Sequence, residues 1–104
     1  MENVLLYKRK DKERTVFIYG YLKEKQLEIM VAFIEKKWHD EIHEYYYLLS
    51  EQDTMQLYTM LKEELHSEAP LLDLVQEMFK GPECEKKFIE FLEQHKISHT
   101  YAAY

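Results

Sequence analysis

IHEYYYLLSEQDTMQLYTMLKEEL, residues 42–65, states a strand, a helix start and a helix in one unbroken run. Tyr45, Tyr46, Tyr47, Leu48 and Leu49 are aromatic and apolar over the length of a strand. Ser50 follows, placed so that its hydroxyl accepts from a free N–H of the first helical turn while the Asp53 carboxylate reaches back. Beyond it Leu57, Leu61 and Leu65 recur every four residues, with Tyr58 and Met60 beside them, which gives one apolar stripe to bury. The rest of the chain reads as cover for this junction.

Upstream, the pattern has period two. Val4 to Lys8 reads as a short strand, Lys10-Asp11-Lys12-Glu13 as a polar turn, and Thr15 to Leu22 as a strand in strict alternation. Val16, Ile18, Gly20 and Leu22 fall on one side of it, and Phe17, Tyr19 and Tyr21 on the other. After Lys23-Glu24-Lys25, Gln26 to Ile34 sets Leu27, Ile29, Val31 and Phe33 against Glu28, Met30 and Ala32. Short turns between consecutive strands predict an antiparallel meander. Glu35 to Glu41, charged apart from Trp38, reads as a loop or a single helical turn, and Ile42 to Leu49 as the fourth strand.

Downstream, a helix runs from Glu51 to about His66. Pro70 suits the first turn of a second helix, whose apolar side holds Leu71, Leu72, Leu74, Val75, Met78 and Phe79. Gly81 can take a left-handed cap position and Pro82 stops continuation. A third helix, Glu83 to His95, puts Cys84, Phe88, Phe91 and Leu92 on one stripe, and Ser98 to Tyr104 returns as an edge or capping strand. The expected class is α+β: an antiparallel sheet of about four strands, two to three helices after it, and a short C-terminal strand.

At 104 residues, with 46% apolar and 33% charged residues, the chain is expected to form one domain over residues 1–104. No run of about 18 apolar residues is present, and Val4–Tyr7 is too short for the apolar part of a signal peptide. A lone cysteine, Cys84, forms no internal disulfide, so the expectation is a cytoplasmic protein with no membrane partner. The net charge of −6 is uneven: residues 1–25 carry +3, residues 26–69 carry −7 and residues 70–104 carry −2. Nucleic-acid binding requires a basic face, and only Lys8, Arg9, Lys10, Lys12 and Arg14 offer one; that tract reads as a solvated hairpin turn, so no nucleic-acid partner is expected.

Enzyme chemistry finds no foothold. His39 and His43 have the spacing that aligns two imidazoles on one zinc, but Asp40 stands where a metalloprotease needs Glu, the segment runs into a strand, and no third ligand is evident. His95 and His99 repeat the spacing across a helix end. Cys84 lies on an apolar stripe and reads as a small buried hydrophobe. Gly20 and Gly81 stand alone, so there is no phosphate loop, and Ser50 is explained by capping. No catalytic residue, metal or cofactor is expected.

Nine tyrosines in 104 residues are the anomaly. If helices cover the aliphatic side of the sheet, Tyr19, Tyr21 and two of Tyr45–Tyr47 lie on the other side or under the terminal segment, unless a helix covers that side too. Uncovered tyrosine is a large contact surface at low entropic cost. Beside an acidic middle segment it suits a basic protein partner.

The run Tyr45 to Thr54, then Leu71-Leu72, Phe79-Lys80-Gly81, Phe88, Phe91-Leu92, Ile97 and Tyr104, resembles small acidic bacterial immunity proteins of contact-dependent inhibition and polymorphic toxin systems. The similarity spans roughly residues 27 to 104 and departs near 30–38, where Met30 to Trp38 replaces a glycine-containing turn. It implies a cytoplasmic inhibitor, not an enzyme, that binds one cognate toxin, often a nuclease, one to one and occludes its basic active site. On that reading Glu41, Glu44, Glu51, Asp53, Glu63 and Glu64 are the expected electrostatic contacts, with Trp38, Tyr45 and Tyr47 as aromatic anchors. The alternatives are a phage-type acidic anti-defence inhibitor that mimics nucleic-acid charge, and a metal-dependent enzyme using His39 and His43.

Overall fold

Alternation in the N-terminal half and four-residue spacing in the C-terminal half produce two layers. The computed structural model describes residues 2–36 and 40–103, the side chain of Asp40 excepted, so Trp38 and His39 lie outside the described residues. Four strands come first: β1 (Glu2–Lys10), β2 (Arg14–Lys23), β3 (Gln26–Lys36) and β4 (Asp40–Leu48). Three helices follow, α1 (Glu51–Leu65), α2 (Leu71–Phe79) and α3 (Cys84–Gln94), and β5 (Thr100–Ala103) closes the chain. All five strands form one antiparallel sheet in the order β1-β2-β3-β4-β5, which is the expected α+β arrangement.

Period two decides which side chains reach the helices. Ile18, Leu27, Ile29 and Val31 enter one core with Leu57 and Leu61 of α1, Leu74 and Val75 of α2, and Phe88 and Leu92 of α3. Phe79 crosses Phe88 and Phe91 edge to face, with ring centroids 5.4 and 5.6 Å apart. Among the described residues no helix has a stretch long and apolar enough to cross a membrane.

Helix α1 starts as its sequence requires. Asp53 N–H donates to Ser50 Oγ at 3.1 Å, but the Asp53 carboxylate accepts from the Ser50 hydroxyl at 2.9 Å, closing the cap through side chains. Two expectations need correction. Glu35, Lys36, Asp40 and Glu41 are strand, because Glu35 pairs with Glu41 and Lys36 with Asp40 across the β3–β4 hairpin, so the reading of 35–41 as a loop or helical turn fails there. Gly81 does adopt a positive φ of 118°, but α2 ends on the extended Lys80, and Gly81 N–H donates to the Leu6 carbonyl of β1 at 3.0 Å. Of the three consecutive tyrosines only Tyr46 faces away from the helices, while Tyr45 and Tyr47 lie on the helix side against Tyr101 of the terminal segment.

Candidate functional site

The open face of the sheet is the molecule's unexplained surface. Register places Phe17, Tyr19 and Tyr21 of β2, Met30, Ala32 and Ile34 of β3, and Ile42, Glu44, Tyr46 and Leu48 of β4 on the side away from the helices. None of these packs against the core, and among the described residues no helix covers them. A sheet with one solvated side normally turns polar groups outward. Here that side is aromatic and aliphatic, with Ile42 65% and Leu5 40% exposed. From strand spacing and rise the field measures roughly 15 by 20 Å, about 300 Å2, at the lower end of the largest apolar patch a monomer carries.

Two carboxylates sit inside this field. Glu28 is cross-strand from Tyr21 and Leu48, and Glu44 is cross-strand from Ala32. The Tyr46 hydroxyl donates to Glu44 at 2.9 Å, and Tyr19 and Tyr21 lie 6.0 Å apart between ring centroids. The Tyr21 hydroxyl is held above its ordinary pKa by burial first, then by Tyr19 and by the negative charge of Glu44. On the β1 side Lys8 Nζ stands 5.5 Å from the centroid of Phe17.

The other residues expected at a partner site are spread over the molecule. Glu44 alone lies on the open face. Tyr45 and Tyr47 point to the helix side, where both hydroxyls donate to Glu85 of α3 and Tyr101 of β5 packs at 5.7 and 5.8 Å. Burial first, then the bond to Glu85, pushes both hydroxyls above the ordinary tyrosine range. Glu51 and Asp53 are in the first turn of α1, and Glu63 and Glu64 in its last, roughly 15–20 Å away along the axis. Trp38 lies outside the described residues.

Glu41 belongs to a different group, with His43 and Glu35, in which one ligand atom from each lies within 4.8 Å of the others. These three could each offer one donor to a cation. His43 Nε2 lies 3.6 Å from a Glu41 carboxylate oxygen, its ring is stacked on Phe33 at 4.8 Å between centroids, and its side chain is about half exposed (45%). Cys84 is buried in the core, its thiol pushed up to about 12 by that burial, and is no nucleophile.

Pattern reading leaves Tyr46 unsorted among its neighbours, and it sets Glu28 on the open side of β3 without naming it as a contact. The signal for Tyr46 was present in Leu49: it enters the core, so Tyr47 and Tyr45, two and four residues back, share its side and Tyr46 does not. Comparisons of the chain with protein-family models, with curated proteins and with solved structures give no match, and the reading of this face rests on its own residues.

Proposed function

We propose that this protein is a non-enzymatic inhibitor that neutralises a cationic protein toxin, a nuclease in the first instance, by laying the open face of its sheet over the toxin's basic active site. One observation carries the reading: an uncovered aromatic and aliphatic field with the carboxylates of Glu28 and Glu44 set inside it. The apolar part supplies contact area, and the carboxylates select a partner whose surface is cationic where it is flat. Nuclease sites are basic because they hold phosphate, and a chain of net charge −6 approaches them with electrostatic steering. Immunity of this kind is exercised in the cytoplasm, where the reduced Cys84 is at home.

The field favours this over an inhibitor that mimics nucleic acid, which needs a carboxylate-studded surface with little apolar contact. Aromatic rings beside Lys8 and Lys10 also describe a platform for single-stranded nucleic acid, but Glu28 and Glu44 lie among the rings where phosphates run.

The test is to mix the purified chain with candidate basic nucleases, beginning with any encoded in reading frames next to its gene, and follow calorimetry and nuclease activity together. A one-to-one complex with loss of activity is expected. Tyr19→Ser combined with Tyr46→Ser, in a chain that melts as the parent does, should weaken it at least 100-fold. Undiminished inhibition by that variant, or turnover of a substrate by the chain alone, rules the reading out.

A further inference from the structure

We infer that the open face of the sheet is covered, in the protein alone, by the same face of a second copy, the two related by a twofold axis that runs along the strands between β2 and β3. This goes beyond the docking role proposed above and does not need it. The register of the strands gives the reason. Lys8, Phe17, Ala32 and Glu44 form one row across β1, β2, β3 and β4, with the cation at one end and the carboxylate at the other. A twofold axis along the strands exchanges β1 with β4 and β2 with β3 while keeping each row opposite itself. Lys8 then meets Glu44 of the second copy, and Glu44 meets its Lys8, so the face is complementary to itself in charge.

The neighbouring rows agree. One row on, Leu5, Tyr19, Met30 and Tyr46 follow in the same order, so the exposed Leu5 is set against a Tyr46 ring and Tyr19 against a Met30 thioether. In the row after that Tyr21 stands opposite Glu28, whose carboxylate can accept from its hydroxyl. An axis across the strands would instead lay the basic β1 edge, with Lys8 and Lys10, on its own copy, and like charges disfavour that arrangement. The area also suffices. Five strands span roughly 20 Å and run about 30 Å, so each copy offers about 600 Å2 and the pair about 1,200 Å2, where the size range of specific interfaces begins. An aromatic and aliphatic centre inside a charged margin is the composition of such an interface. Facing sheets pack about 10 Å apart, a gap that a lysine and a glutamate reaching toward each other bridge. A toxin that takes this face must first part the copies.

The test is the mass in solution, followed by sedimentation equilibrium as concentration rises, at about 0.1 M salt. The chain of 12.8 kDa should move toward twice that mass. Lys8→Glu and Glu44→Lys, each in a chain that melts as the parent does, should weaken association at least tenfold, because each sets like charges together at both symmetric contacts. Mixed one to one, the two variants should recover dimers of parent-like strength, since each then supplies the charge that the other lacks. Glu90→Lys on α3 should change association less than twofold. A mass that stays at 12.8 kDa up to about 1 mM, single variants that dimerise as the parent does, or a mixture that fails to recover would each overturn the dimer. Should the chain be monomeric while Tyr19→Ser with Tyr46→Ser still breaks the nuclease complex, the dimer falls and the docking face stands. Should a nuclease bind the intact dimer undiminished, the dimer stands and the docking face falls.

Discussion

Thr54 sits in the first turn of α1 yet serves the sheet. Its hydroxyl accepts the N–H of Leu27 at 3.0 Å, at a position where Leu27 is fully buried. Thr54→Val keeps the shape and removes the acceptor, leaving a buried donor unsatisfied, which costs about 1–3 kcal/mol. A lower urea midpoint with an unchanged slope is the expected result; an unchanged midpoint would show the bond to be dispensable. This contact marks the limit of what single residues disclose in sequence. Ser50 was legible as a cap because both partners lie within four residues, whereas Thr54 answers a donor 27 residues upstream. Tyr45 and Tyr47 look like exposed anchors for the same reason, their acceptor Glu85 being 40 and 38 residues away.

Whole strands and helices were largely legible, because alternation and four-residue spacing are properties of a dozen residues at once. Their ends and edges were not. β1 bulges between Leu5 and Tyr7, so that Leu6 is buried and Tyr7 packs against the core as well. The Leu5 and Leu6 carbonyls at this free edge are taken by Gln76 Nε2 at 2.9 Å and Gly81 N–H at 3.0 Å. β5 on the opposite edge has only four residues. Gln76 and Gly81 thereby blunt the middle of the β1 edge as a template for another strand, while β5 covers only the Tyr45–Leu48 part of β4. The β2–β3 turn carries a cost that sequence also hides: Glu24 and Lys25 both have positive φ, 50° and 66°, in a two-residue hairpin that asparagine and glycine adopt readily. Replacing them together, Glu24→Asn with Lys25→Gly, should stabilise the chain by about 1 kcal/mol and raise its melting temperature by about 4–8 °C. No gain in a thermal melt would mean the turn is not strained.

At the scale of the molecule, the tyrosines make stability depend on alkaline pH. Tyr45 and Tyr47 hold their protons above the ordinary tyrosine range, through burial first and then the carboxylate of Glu85 that their hydroxyls face. Cys84 is pushed up to about 12 by burial. In the unfolded chain a tyrosine ionises near 10 and a thiol near 8.5. Each folded-state pKa is raised, so the unfolded state releases its protons first, and the stability linked to these groups is complete below about pH 8. It is lost as pH climbs, from the thiol onset near 8.5 and more steeply past 10 where the tyrosines join. The urea midpoint should therefore stay level from pH 7 to 8 and fall steadily toward pH 11. Tyr45→Phe with Tyr47→Phe, though less stable at neutral pH for want of the Glu85 bonds, should show a shallower decline above pH 10, and Cys84→Ala should remove the part that begins below pH 10. A midpoint indifferent to pH up to 11 would mean that the hydroxyls on Glu85 are open to solvent, and that the helix side of β4 is as bare as the face proposed for docking.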